Sequence, residues 1–191
     1  MARNPPGSDR TIVLIGFRGV GKSTVGRRIA ELMNGGYVDT DELLTCRTGR
    51  TIVELFEELG EREFRRLETQ AIQTALEERP AVLSVGGGAL MAHCNRDRIC
   101  AAGNVVWLTA PAEVLWDRIL ADPSTASNRP KLTRLGGIEE IRQLLAEREP
   151  VYSVSADLIV DTTDKNPQSI ALGILGWLEG DRNSAPEDHS I

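Results

Sequence analysis

The sequence predicts an α/β fold, a parallel sheet covered by helices on both faces, and three observations carry that prediction. Short apolar runs rich in β-branched residues recur at 11–15, 37–39, 81–85, 105–108 and 158–160. Stretches with helical spacing of apolar residues separate them, and strands that alternate with helices pair in parallel. The chain has 191 residues, 41% hydrophobic and 26% charged, enough for one core that buries roughly 70% of the unfolded surface. That composition excludes a disordered, collagen-like or coiled-coil protein.

The first strand, 11–15, runs into Gly16 and then a helical pattern through Ile29, Ala30, Leu32 and Met33. Tyr37 to Asp39 forms a second strand. Thr51 followed by Glu54 fits a capping box, in which each side chain bonds the other's backbone N–H, and a helix over 52–59 follows. A longer helix over 61–78 has Phe64, Leu67, Ala71, Ile72, Ala75 and Leu76 at spacings of three and four, and Pro80 ends it. Pro111 opens another helix to about residue 120, at the position where its missing N–H costs nothing. A helix is also expected to end before Pro150. Residues 121–136 mix Pro, Ser, Thr, Asn and Gly with charges and are long for a connection in a compact domain, so they read as a mobile lid. Residues 1–10 and 180–191 read as disordered ends around a single domain, 11–179.

The strongest chemical signal follows the first strand directly. Gly16-Phe17-Arg18-Gly19-Val20-Gly21-Lys22-Ser23 matches GxxxxGK[ST] between a strand and a helix, the context that makes the pattern meaningful. Its glycines let successive backbone N–H groups, from Gly19, Val20 and Gly21 into the helix, turn toward phosphate oxygens, and the helix adds its positive end. Lys22 would reach the β and γ phosphates, Ser23 would ligate Mg²⁺ and Thr24 would help hold the α phosphate. The pattern implies a nucleotide's phosphates and Mg²⁺ as what the loop holds.

A motor-type ATPase would end a buried strand in an Asp for the metal, whereas the strand at 81–85 ends in Gly86-Gly87-Gly88, and no NKxD sequence supports a GTPase. Carboxylates occur instead at Asp39 and Asp41, two apart at the end of the second strand, where period-two geometry aims both to one side. One can serve magnesium and the other an acceptor hydroxyl; the alternative is a solvated turn with an Asp capping the next helix. Three consecutive glycines cost about 0.5–1 kcal/mol each relative to Ala, which points to a substrate lying against Gly87 and Gly88.

The net charge of −6 argues against a general binder of nucleic acids or anionic membranes. Cys46, Cys94 and Cys100 fit no zinc or CxxC spacing, and His93 beside Cys94 has no second pair to complete a tetrahedron. With no apolar leader and no run near the about 18 residues that span a bilayer, the expectation is a cytoplasmic protein; a monomer is expected, though no residue pattern speaks to oligomeric state.

Several motifs in order resemble the shikimate kinase family: the phosphate loop, Asp39-Thr40-Asp41, Gly60-Glu61-Arg62-Glu63-Phe64-Arg65 with Glu68, the triple glycine, Arg129-Pro130, Arg148-Glu149-Pro150-Val151-Tyr152 and Asn166-Pro167. The resemblance implies a five-stranded parallel sheet of order 2-3-1-4-5, a P-loop NTPase fold like that of nucleoside monophosphate kinases with a lid, and transfer of phosphate from ATP with Mg²⁺ to the 3-hydroxyl of shikimate, the small-molecule partner. It further implies that Asp39 holds magnesium through water, that Asp41 binds ring hydroxyls and orients or deprotonates the attacking one, and that Arg65 and Arg148 clamp the substrate carboxylate. Gly87 would supply a backbone contact, Arg129 would close onto the ATP phosphates, and Arg118 with Lys165 would sandwich adenine. Each arginine also has a plainer reading, Arg65 as a helix-surface partner of Glu68 and Arg148 as a cation at a helix end. The lid departs from the family in having Lys131 and Leu132 where two leucines are usual, and Lys165 stands where arginine is frequent. Gluconate kinase, a nucleoside monophosphate kinase, or a nucleotide-binding module without catalysis are the competing readings.

Overall fold

In the computed structural model, residues 10–122 and 136–184 are described. Strand β1, Thr11–Ile15, is buried along its whole length and forms the middle of a five-stranded parallel sheet, with β3, Val82–Ser84, on one side and β4, Gly103–Thr109, on the other. Strands β2, Tyr37–Asp39, and β5, Leu158–Asp161, are the edges, so the order is β2-β3-β1-β4-β5 as the family resemblance implies.

The alternation along β1 divides the core in two. Ile12 and Leu14 face helices α1, Lys22–Leu32, α5, Ala112–Ala121, the first half of α6, Gly137–Ser155, and α7, Pro167–Ser184. Val13 and Ile15 face the second half of α3, Ile52–Glu77, together with α4, His93–Ala102, and Tyr152 from the last turns of α6. Each such side chain contributes about 1.5–3 kcal/mol on full burial, and burial on both sides explains why β1 reads as an unbroken apolar run rather than an alternating one.

A smaller cluster, Leu44, Leu55, Phe64 and Ala71, joins α2, Thr40–Thr48, to α3. The Thr51 capping box is present: Glu54 N–H donates to Thr51 Oγ1 at 3.2 Å and Thr51 N–H to Glu54 Oε2 at 2.7 Å. Within α3, Gly60 adopts φ 75° and ψ 167°, a conformation open essentially to glycine alone. The break it creates separates the two helices expected from the sequence. It also turns Phe56 toward Phe64, with ring centroids 5.5 Å apart.

Two expectations are corrected. The helix that was to stop before Pro150 continues to Ser155. Pro150 forgoes one rung of the ladder, but the following turn buries Tyr152 against Trp107, centroids 5.7 Å apart, and that packing keeps the chain helical. The C-terminal helix α7 likewise runs on to Ser184, into the segment expected to be disordered. Of the expected lid, 123–135 lie outside the described residues, as do the ends at 1–9 and 185–191. Among the described residues no helix is long and apolar enough to cross a membrane.

Candidate active site

The phosphate loop leaves β1 at Gly16 and enters α1 through Gly21, whose left-handed φ of 96° lets the N-terminal amides of α1 open into a cleft. No acidic residue occupies the first turn of α1, so its positive end is not neutralised from within. The cleft, about 470 Å³, is lined by the loop from Arg18 through Val25, by Asp39, Asp41 and Ser84, and at its far end by Arg118, Thr162, Lys165 and Pro167. Lys22 is nearly buried and its ammonium folds back to donate to the carbonyls of Gly16 at 2.9 Å and Phe17 at 3.1 Å.

At the start of α1 Ser23 Oγ donates to Asp39 Oδ2 at 3.0 Å, and the Tyr37 hydroxyl donates to the same oxygen at 3.0 Å. The other oxygen, Asp39 Oδ1, accepts from the backbone N–H of Asp41 at 2.9 Å and caps α2. Asp39 is thus the helix cap of the alternative reading through one oxygen, while its other oxygen meets Ser23. Burial, and then the neighbouring Asp39 charge, push the Tyr37 hydroxyl well above its ordinary range, so it remains a donor. The period-two argument for Asp39 and Asp41 does not hold: β2 ends at Asp39, and Asp41 projects from the first turn of α2. Both nevertheless border the cleft, because helical rotation replaces strand alternation there.

A second cavity adjoins the first. Phe17, Ile52, Phe56 and Phe64 form its apolar wall, Arg18 also lines it, and Asp41, Arg65, Glu68 and Arg148 meet the backbone of Gly86 to Gly88 on the other. The triple glycine is explained by this approach. A Cβ on Gly88 would lie 2.6 Å from Arg65 Nη1, one on Gly87 3.2 Å from Arg148 Nη1, and one on Gly86 3.0 Å from both Asp41 Oδ1 and Glu68 Oε1. Four charged side chains thus pack onto three residues of bare backbone. Substituting Gly88→Ala should displace the Arg65 guanidinium while leaving the fold intact, since the clash is with the end of a flexible side chain. The expected result is a roughly tenfold rise in the KM of the acceptor with that of ATP unchanged, each tenfold being about 1.4 kcal/mol, read in steady-state kinetics.

Arg65 makes the Glu68 pair of the plainer reading, but with a buried partner, and Arg148 is itself buried within the helix rather than at its end. Arg65 Nη1 donates to Glu68 Oε2 at 3.0 Å, and the Glu68 side chain is only 3% exposed. Arg148, 7% exposed, lies mid-helix with its guanidinium carbon 5.4 Å from the Phe17 ring centroid. Burial raises the pKa of Glu68 above the ordinary carboxylate value of 4.5, against the opposing pull of Arg65, and Asp41 adds to the rise. A carboxyl whose folded pKa is raised favours the protonated protein, so its contribution to stability is complete below the unfolded value and is lost as pH climbs through the folded one. Glu68→Gln should remove that dependence: its melting temperature relative to the parent should move in the variant's favour as pH rises above the ordinary carboxylate range, measured by calorimetry.

Beneath the glycines the buried Tyr152 hydroxyl donates to the Gly87 carbonyl. At the other end of the first cleft Arg118 Nη1 and Nη2 donate to Thr162 Oγ1 at 2.9 Å and the Thr162 carbonyl at 2.8 Å, which fixes its guanidinium in a wall that Lys165 also lines. The structure thus brings together all the described residues singled out in the sequence: Gly19 to Thr24, Asp39, Asp41, Arg65, Gly87, Gly88, Arg118, Arg148 and Lys165. Arg129 lies outside the described residues. Sequence reasoning missed Phe17, Phe56, Phe64 and Tyr152, although Tyr152, four residues after Arg148, stands on the same helical face and could have been found from that spacing. Among the described residues no cluster of three or more His, Cys, Asp or Glu side chains could hold a metal by itself, and the three cysteines are free and exposed.

A five-stranded P-loop fold with an apolar, arginine-bearing acceptor cavity beside the phosphate loop defines an ATP-dependent small-molecule kinase. The family model for shikimate kinase matches residues 18–179. Among similar sequences, the shikimate kinase of Mesorhizobium japonicum is 38% identical over 92% of this chain and 89% of its own length, and that of Mycobacterium avium is 42% identical over 87% and 92%. Among solved structures, a shikimate kinase from Acinetobacter baumannii in complex with shikimate superposes with a TM-score of 0.84 at 34% identity, over 91% of this chain and 94% of that one. A gluconokinase from Sinorhizobium meliloti, TM-score 0.57 at 19% identity over 92% of this chain and 96% of that one, shares the fold alone. The chain belongs to the shikimate kinase family.

Proposed function

We propose that this protein transfers the γ-phosphoryl group of ATP to the 3-hydroxyl of shikimate, acting as a monomer whose site is assembled from one chain. The observation that carries this reading is the pair of guanidinium groups, Arg65 and Arg148, seated on Gly88 and Gly87 across from Asp41 in a cavity that opens beside the phosphate loop. Two planar cations are a strong recognition device for a carboxylate, and lysine could not supply the bidentate geometry. The phenyl rings of Phe56 and Phe64 give the carbon skeleton an apolar wall.

The amides of Gly19 to Thr24 hold the nucleotide phosphates, and Lys22 exchanges its loop carbonyls for β and γ oxygens when nucleotide binds. Arg118 and Lys165 flank the adenine. Ser23 Oγ and Asp39 Oδ2, hard oxygen donors 3.0 Å apart, suit Mg²⁺, which keeps several waters and takes few protein ligands; bound there with the nucleotide, it would neutralise phosphate charge. Asp41 accepts a hydrogen bond from the attacking hydroxyl and aligns it. The bond from γ-phosphorus to the bridging oxygen breaks with its electron pair leaving on ADP, the bond from the 3-oxygen to phosphorus forms, and the hydroxyl proton passes to Asp41 and then to solvent. Gly87 and Gly88 present backbone to the acceptor, and Arg129 is assigned to the phosphates from the segment outside the described residues. A coupled assay of ADP release over shikimate, gluconate and AMP tests the assignment. Turnover confined to shikimate is expected, and turnover with gluconate or AMP but not shikimate would overturn it.

A further inference from the structure

Among the described residues, Arg18 and Asp41 alone line both the nucleotide cleft and the acceptor cavity. A group moving from one space to the other must pass between walls they share. Asp41 is accounted for by the acceptor hydroxyl; Arg18, in the variable part of the phosphate loop, belongs to no element of the loop's usual chemistry. Its side chain is 16% exposed and donates through Nη2 to Oε1 of Glu140 at 2.9 Å, a side chain only 2% exposed in the first turn of α6. The guanidinium carbon also lies 5.8 Å from the Phe17 ring centroid.

Such a pair is an expensive way to gain stability, because desolvating two charges offsets most of their attraction. It is an effective way to hold a long side chain in one place. Glu140 is well suited to that task, since the N-terminal turn of a helix favours its negative charge. The Arg18 and Glu140 pair spans 122 positions of sequence and ties α6, the helix that also carries Arg148, to the phosphate loop.

Resting on the assignment of the two cavities to nucleotide and acceptor, we propose that Arg18 is a further catalytic residue, stabilising the charge that spreads over the γ-phosphoryl oxygens between the two sites, and that Glu140 is the residue that positions it. A fixed cation aimed at developing charge lowers the barrier without reorganising during the reaction. Arg18 would then act on the transition state far more than on bound ATP.

The test compares the parent protein with Arg18→Met, Arg18→Lys, Glu140→Gln and the double variant Arg18→Met with Glu140→Gln. Calorimetry in magnesium buffer, without any acceptor, reads the affinity for ADP and for ADP with fluoroaluminate, a planar mimic of the group in flight. Arg18→Met should weaken the fluoroaluminate complex about 100-fold while ADP alone changes by less than about threefold. In turnover, kcat should fall by a similar factor with both KM values nearly constant, and Arg18→Lys should recover part of it. Glu140→Gln should lower kcat about tenfold through misplacement of the guanidinium, yet cause no further loss once Arg18 is Met. Equal weakening of ADP and its fluoroaluminate complex would overturn the catalytic role, and additive losses in the double variant would overturn the positioning role. If Arg18→Met does not fold, the same ratio read on Arg18→Lys decides. A parent protein that binds ADP but releases none with shikimate would sink the substrate assignment separately, because the fluoroaluminate ratio needs no acceptor.

Discussion

Replacing Asp41 by Asn should lower kcat by about two to four orders of magnitude, the range for a positioned acid–base group, while ATP binds as before. The side chain leaves the first turn of α2, borders both cavities, and has its Oδ1 3.0 Å from where a Cβ on Gly86 would stand. Asn preserves that shape but turns one acceptor oxygen into a donor, so the attacking hydroxyl loses both its alignment and the destination of its proton. Asp39 and Ser23, which make the neighbouring contact at 3.0 Å, are untouched, and the nucleotide should therefore bind within about threefold of the parent, less than 1 kcal/mol. Rapid-quench turnover paired with ATP calorimetry separates the two quantities. A kcat near that of the parent would remove Asp41 from the reaction.

Arg148 should be as sensitive, in binding rather than in chemistry. Arg148→Met is expected to raise the KM of shikimate at least about 30-fold, the lower end of what truncating a buried charged partner costs, about 2–5 kcal/mol. Two effects add. The carboxylate loses half of its clamp, and the cavity loses one of the cations that oppose the upward shift of the buried Glu68 carboxyl, so Glu68 should hold its proton to still higher pH. Arg148→Lys should recover little, because a lysine ammonium offers neither the planar fork nor the stacking on Phe17 seen at 5.4 Å. The prediction is checked by the ratio of KM values at fixed ATP and by the pH dependence of unfolding. An unchanged shikimate KM in Arg148→Met would mean that the carboxylate binds elsewhere.

Much of this site was legible before any coordinates. The phosphate loop is a local device: its glycines, Lys22 and Ser23 are contiguous, and contiguity is what a sequence displays. The capping box at Thr51 and Glu54 and the break between the two helices at Gly60 were readable for the same reason, each being decided within a few residues. The error at Pro150 arose because the local preference of proline was weighed without Tyr152 and Trp107, which meet only across the packed core. Asp39 and Asp41 depart from period-two alternation because the strand ends after three residues and a helix begins at Thr40.

What the sequence determined by itself is the set of residues on offer: a phosphate-loop pattern, two aspartates, two arginines and three consecutive glycines. Only the tertiary structure decided why those glycines are three, since each faces a different charged side chain from α2, α3 or α6. The same is true of Arg18, whose partner Glu140 lies on a distant helix. Backbone conformation is governed by neighbours along the chain and leaves a local signature, whereas ion pairs and close approaches depend on distances between remote segments, which no stretch of sequence records until the sheet has brought them together.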